Sequence, residues 1–273
     1  MLSFTQGGIF IRNVLTIAGS DCSGGAGIQA DLKTFAAHGV YGMSVIVSVV
    51  AENTCRVLSV RDLEPEMVTA QMDAVFEDIP VHAVKIGMLS GKDQMRAVAE
   101  GLARYRPPNV VVDPVMVAKG GCALMHPDAL GILKSEVIPK AFLLTPNIPE
   151  AETISGMRIN TPEDRKRAAR TMQEMGAENV LVKGGHLEGD AEDLLLCGEE
   201  FHVFRNNRID TPNTHGTGCT LSSAIAANLA NGSDLVSAVA QAKAYITGAI
   251  AHAVPLGKGH GPVNHFFQFS RTN

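Results

Sequence analysis

Short apolar runs alternate with helix-spaced apolar residues along most of the chain. NVLTIA (Asn13–Ala18) is apolar, too short for a helix and stopped by Gly19, which predicts a buried strand. Ile28–His38 places Ile28, Leu32 and Phe35 at helical spacing before Gly39, which predicts a helix. Ser44–Ala51 (SVIVSVVA) predicts a second strand, Pro65–Phe76 a helix, His82–Ile86 a strand, Lys92–Tyr105 a helix and Asn109–Val112 a strand. The alternation continues with a helix over Pro127–Val137, a strand over Phe142–Thr145, a helix over Thr161–Met175 and a strand over Asn179–Lys183. Asp193–Leu196 and Glu200–Arg205 read as a hairpin around Cys197-Gly198. Helices over Thr217–Ala230 and Asp234–Ala253, split by Asn231-Gly232, complete the pattern.

Strands and helices alternating at this length imply right-handed βαβ units and an α/β domain whose mostly parallel sheet is covered on both faces. One domain is expected over residues 13–273, after an N-terminal extension, residues 1–12, expected to be flexible. Ligands of such sheets bind beyond the carboxyl ends of the strands. The strand exits are therefore the places to look for chemistry.

Composition narrows the function classes. The net charge of −5 and the lack of a Lys/Arg run argue against nucleic-acid binding. Arg165-Lys166-Arg167 reads as a solvated helix face. Five cysteines with no CxxC pair point to a reducing compartment, hence a cytoplasmic location. Neither a secretory signal nor an apolar run near the ~20 residues of a membrane helix occurs, so no membrane association is expected.

At Asn213–Cys219 (NTHGTGC) two glycines precede an apolar helix. Gly216 and Gly218, with Thr217 between them, let backbone N–H groups converge at the positive end of a helix dipole, which suits phosphate. Cys219 falls in the first turn, where its thiol pKa is expected to drop, so that it could take a proton from an attacking hydroxyl. The alternative is a helix start with a capping Thr and a buried Cys.

Asn147 and Glu150 lie three apart at a helix start and could hold hydrated Mg2+; they equally fit a capping box. Asp113 is a second candidate carboxylate for the metal. Lys183 could reach a nucleotide phosphate, and Lys243 is either a second such group or a surface lysine. His215 is either catalytic or a local hydrogen-bonding residue. The Ser20–Gly27 loop (SDCSGGAG) fits neither GxxxxGK[ST] nor GxGxxG and is expected to admit a small substrate. Asp31 either caps that pocket or is a solvated helix residue.

These residues carry a family resemblance. LTIAGSD, SGGAGIQADLKTFAAHGVYGMS, KIGML, VVDPVM, LTPNIPEA, VLVKGGH, NTHGTGCTLSSAIAA and GKGHGPVNHF extend from about Val14 to Phe266. In them the chain resembles the hydroxymethylpyrimidine/phosphomethylpyrimidine kinases of thiamine biosynthesis, within the ribokinase-like superfamily. The resemblance implies a three-layer α/β/α sandwich, commonly homodimeric. It implies ATP- and Mg2+-dependent phosphorylation of 4-amino-5-hydroxymethyl-2-methylpyrimidine, then of its monophosphate. By position, Gly216–Gly218 would form an anion hole, Asn147 and Glu150 would organise Mg2+, and Lys183 and Lys243 would lie near ATP. Gly19, Asp31, Val50, Glu52, Met88 and Val115 would line the pyrimidine pocket. Relatives outside this branch usually carry Asp at the position of Cys219.

One departure stands out: the family typically has Gln where this chain has Glu52. An ionised Glu only accepts hydrogen bonds, so Glu52 and an aminopyrimidine would have to share one proton. Pyridoxal/pyridoxine kinase of the same fold is the alternative activity, and a non-catalytic nucleotide-sensing module the alternative from another class. No fused thiamine-phosphate synthase is expected after the GHGP stretch. Lys119-Gly120-Gly121 is a candidate lid, since paired glycines give hinge freedom.

Overall fold

A computed structural model describes residues 11–118, 120–185 and 191–269. Most of the expected N-terminal extension, His186 and the Lys119 of the candidate lid lie outside the described residues. The strands are β1 Asn13–Gly19, β2 Tyr41–Glu52, β3 Val57–Asp62, β4 Ala83–Ile86, β5 Val110–Val112, β6 Leu143–Leu144, β7 Asn179–Val182, β8 Ala191–Cys197 and β9 Glu200–Asn206. The helices are α1 Gly27–Ala37, α2 Pro65–Phe76, α3 Lys92–Tyr105, α4 Leu130–Ile132, α5 Ile148–Ser155, α6 Pro162–Glu174, α7 Thr217–Ala230 and α8 Leu235–Ala251.

Among the described residues, nine strands join one sheet in the order β3-β2-β1-β4-β5-β6-β7-β8-β9. The six from β2 to β7 run parallel, while β3, β8 and β9 are antiparallel to their neighbours. Parallel strands buried on both faces must be apolar throughout. Accordingly, successive residues of β1 feed opposite layers. Val14 packs with Phe35 and the apolar residues of α7 and α8; Leu15 and Ile17 pack with α2, α3, α5 and α6. The result is the three-layer α/β/α sandwich.

Helix α7 is buried from Thr220 to Ala230, which explains its run of Ala, Ser and Leu without a charge. Two expectations need correction. The predicted Pro127–Val137 helix is only α4 followed by a wider π turn, Leu133–Val137, and a 3-10 turn. Strand β3 has no counterpart among the predicted elements: VLSVRD is mostly exposed at the sheet edge, so the apolar pattern is broken there. Among the described residues no helix is long and apolar enough to cross a membrane.

From β1 the chain runs outward to β2 and β3, then returns through α2 to place β4 on the other side of β1. This reversal opens a crevice at the carboxyl ends of the strands. The candidate residues collect there.

Candidate active site

Two helices aim their N-termini at one point. Helix α7 starts after Gly216, whose φ of +78° is left-handed; a Cβ there would lie 1.8 Å from the carbonyl oxygen of Gly25. Only glycine allows this approach of the 213–219 loop to the 20–27 loop. No side chain caps α7, and Thr217 Oγ1 donates instead to the Thr214 carbonyl at 2.8 Å. The capping-Thr alternative is therefore not what the structure contains. Helix α1 starts at Gly27, also without a side-chain cap, and Gly27 N–H is directed at the Cys219 thiol. Uncapped N–H groups and two positive dipole ends favour an anion at this point.

Asp21 and His215 lock the two loops together. Asp21, 1% exposed, accepts from the backbone N–H of Ser23, Gly25 and Ala26 at 2.7, 3.0 and 2.8 Å. Its Oδ2 also lies 2.8 Å from His215 Nε2. Burial alone would raise the Asp21 pKa, but these donors outweigh it and hold the carboxyl at about 2. His215 thus acts as the hydrogen-bonding residue of its loop. The Asp21 partner went unnoticed in the sequence, although an Asp before SGGAG is a recognisable Asx-turn signal.

The loops bound a cavity of about 550 Å³ at the strand exits. Gly19, Val50, Glu52, Met88 and Val115 line one end. Glu52 is half-buried, and its carboxylate lies within 4.8 Å of donor atoms of Asp21 and His215. Burial, and then the charge of Asp21, push its pKa up to about 7, against an opposing pull from His215. Asp31 does not belong to this lining. It is fully buried on α1, bonded to Thr16 Oγ1, Lys85 Nζ and Ser223 Oγ at 2.6, 2.8 and 2.7 Å. It is neither a cap of the pocket nor a solvated helix residue.

At the centre stand Gly216, Thr217, Gly218 and Cys219 with Asp113, Asn147, Glu150 and Lys183, all lining the cavity. The capping box is real. Asn147 Oδ1 accepts from Glu150 N at 2.9 Å, and Glu150 Oε2 accepts from Asn147 N at 2.8 Å. It also faces the cavity, so the box and a ligand role are compatible. Lys183 Nζ lies 2.5 Å from Asp113 Oδ1. Burial raises the Glu150 pKa, Asp113 adds to the rise and Lys183 opposes it. Two carboxylates and one ammonium thus share a buried corner with an excess of acceptor oxygens.

Cys219 departs from expectation. Burial outweighs the helix N-terminus, and its thiol pKa rises to about 11. Lys85 pulls it down, while Asp31 and Asp113 push it further up. The resting group is therefore a thiol at neutral pH.

The far end of the cavity was barely visible in the sequence. Lys243 is buried, not a surface lysine, and its Nζ lies 2.5 Å from Asp193 Oδ2. Asp193 also accepts from Gly184 N at 2.8 Å, holding the turn after β7, where a Cβ on Gly184 would strike the Glu192 carbonyl. Asn206, Ile209, Thr211, Ile246 and Ile250 complete a mixed apolar and polar end. None of these carries a motif; they meet because β9 and α8 pack side by side.

Comparison with known proteins assigns the family. A sequence model of the phosphomethylpyrimidine kinase family matches residues 21–264. The thiamine biosynthesis bifunctional protein ThiED of Geobacter sulfurreducens is 54% identical over 93% of this chain, which spans 52% of that protein's length. The hydroxymethylpyrimidine/phosphomethylpyrimidine kinase of Rhizobium meliloti is 52% identical, over 93% of this chain and 97% of that protein. Among solved structures, an ADP complex of Bacillus subtilis pyridoxal kinase superposes with a TM-score of 0.89 at 39% identity, covering 96% of this chain and all of that one. With the match spanning the strand exits, the paired helix N-termini and Cys219 itself, the chain belongs to the phosphomethylpyrimidine kinase family.

Proposed function

We infer that this chain transfers the γ-phosphoryl group of ATP to the hydroxyl of 4-amino-5-hydroxymethyl-2-methylpyrimidine, and then a second one to the resulting monophosphate. The observation that carries this reading is the convergence of two uncapped helix N-termini on Cys219 midway along one cavity. The end lined by Gly19, Val50, Glu52, Met88 and Val115 suits a flat, amine-bearing ring. The end lined by Lys243, Asn206 and Ile250 suits the nucleotide. The similar pyridoxal kinase was solved with ADP, which supports an adenine nucleotide here.

Phosphoryl transfer needs positioning and charge stabilisation more than covalent help from the protein. The N–H groups of α1 and α7, with Lys183, face the transferring oxygens. In the first transfer the substrate hydroxyl attacks the γ-phosphorus while the bond to the ADP bridging oxygen breaks. Before the attack the Cys219 thiol loses its proton to solvent, giving a thiolate that Gly27 N–H and Lys85 stabilise; this thiolate then takes the hydroxyl proton and returns to the thiol. In the second transfer the attacking phosphate oxygen is already anionic, so Cys219 has no proton to take. Mg2+ fits Asp113 and Glu150, which offer hard oxygen donors and whose crowding a cation would relieve. Bound there with the nucleotide, it would neutralise phosphate charge.

A homodimer belongs to this reading, supported by the exposed apolar side chains Tyr41, Val49 and Leu58 at the β2–β3 edge. Pyridoxal kinase activity is the second reading, favoured by the TM-score of 0.89 to such an enzyme. A coupled ADP-release assay decides. Turnover with the pyrimidine alcohol and its monophosphate should exceed that with pyridoxal; a preference for pyridoxal would overturn the reading.

A further inference from the structure

Two residues that touch neither end of the cavity form a fully buried ion pair directly below the reacting centre. Lys85, on β4, and Asp31, on α1, are each 0% exposed and 2.8 Å apart. A buried pair of this kind carries a desolvation cost that well-packed apolar residues would avoid, so stability is a weak reason for it. Its placement supplies another. Gly27, whose N–H is aimed at Cys219, and Asp31 are four residues apart on α1, hence on one helix face. Cys219 and Ser223 are likewise four apart on α7, and Ser223 Oγ donates to Asp31 Oδ1 at 2.7 Å. The pair therefore sits one helical turn beneath Cys219 on both helices.

Lys85 also extends along β4 toward the strand exit. A Cβ on Gly87, at the strand exit, would stand 2.6 Å from Lys85 Nζ. Asp31 Oδ2 accepts both from Lys85 Nζ and from Thr16 Oγ1, the latter at 2.6 Å. The carboxylate is thus fixed by three side chains from β1, β4 and α7, and it fixes the ammonium in turn.

We propose that Lys85 and Asp31 are positioning residues that set the charge state of Cys219, with Lys85 favouring its thiolate and Asp31 restraining that effect. This rests on the reading of Cys219 as proton acceptor in the first transfer. The charged groups around Cys219 are Lys85 from β4, Asp31 from α1, Asp113 beyond β5 and Lys183 beyond β7. Lys85 is the strongest among those lowering the thiol pKa, and Asp31 the strongest side chain raising it. Lys85 itself stays protonated: burial alone would lower its pKa, but Asp31, Cys219 and Asp113 raise it.

The two members act with opposite signs, and that separates an electrostatic role from a structural one. The test is the rate of iodoacetamide alkylation at Cys219, read by mass spectrometry of its peptide between about pH 7 and 10, where the rate follows the thiolate fraction. Lys85→Met should slow it about tenfold and Asp31→Asn should speed it about tenfold, the change expected for one pKa unit. The double variant should fall on the slow side of wild type, because Lys85 is the stronger influence. Its neutral pair also serves if Lys85→Met alone fails to fold around an unpaired Asp31. Changes of the same sign in Asp31→Asn and in the variants lacking Lys85, or no change in Asp31→Asn and the double variant, would overturn the proposal. The pH profile of the first transfer, measured alongside, keeps the two readings apart. If alkylation moves as expected and that profile does not, the coupling stands and Cys219 is not the proton acceptor.

Discussion

Replacing Glu52 by Gln probes the residue of the proposed ring end at which the family resemblance implies Gln. Its carboxyl is held at about 7 rather than the ordinary 4.5, by burial first and by the Asp21 charge second. The folded protein therefore binds a proton between those values that the unfolded chain has released. Stability linked to Glu52 is fully present below pH 4.5 and is lost as pH rises through about 7. With its residual exposure discounted, the loss is on the order of 2 kcal/mol. Glu52→Gln should thus raise Tm above neutrality by roughly 5 °C and have little effect at low pH.

Binding of the ring should follow the same proton. An aminopyrimidine offers amine donors and ring-nitrogen acceptors, and a carboxylate can answer only the donors. Below about pH 7 one proton is shared between Glu52 and the ring; above it both partners lose the proton and KM for the pyrimidine should rise, by up to about tenfold per pH unit. In Glu52→Gln the KM profile should be flat over that range. Initial-rate assays from about pH 6 to 9 provide the comparison. Parallel profiles in the two proteins would refute the reasoning, because a shared proton cannot survive the loss of the carboxyl.

Other substitutions probe the loops. Gly216→Ala would place a Cβ 1.8 Å from the Gly25 carbonyl at a φ of +78°; both turnover and Tm should fall, with a stability loss of about 2 kcal/mol or more, measurable by thermal unfolding. Asp21→Asn removes the charge and exchanges one carboxylate oxygen for an NH2 donor, so the acceptor Oδ2 that Gly25 N–H, Ala26 N–H and His215 share is lost; stability above the ordinary carboxylate range should drop by about 1–3 kcal/mol, and the wild-type advantage should vanish as pH falls through about 2. Urea unfolding of both proteins at several pH values checks the size and the sign.

Much of this architecture could be read from periodicity. NVLTIA, NVVV and NVLVK are short apolar runs because β1, β5 and β7 are buried on both faces. The edge strand β3 escaped because exposure removes that signal. The site was legible where backbone chemistry dictates a residue, as at Gly216, where no side chain fits. It was misread where burial decides: Cys219 lies at a helix N-terminus, yet desolvation lifts its pKa instead of lowering it. Asp31 belongs to a buried pair that joins residues 54 positions apart, which no local spacing reveals. The Lys in HAVKI was itself a clue, since a charge inside a buried strand requires a partner.

In the proposed mechanism one cavity performs two transfers, and only the first requires a proton acceptor at Cys219. Single-turnover rates of wild type and Cys219→Ser on the pyrimidine alcohol and on its monophosphate test this directly. The expected loss is on the order of 10²-fold or more with the alcohol and only a few-fold with the monophosphate. Equal losses on both substrates would contradict it and make Cys219 a phosphate-positioning group instead.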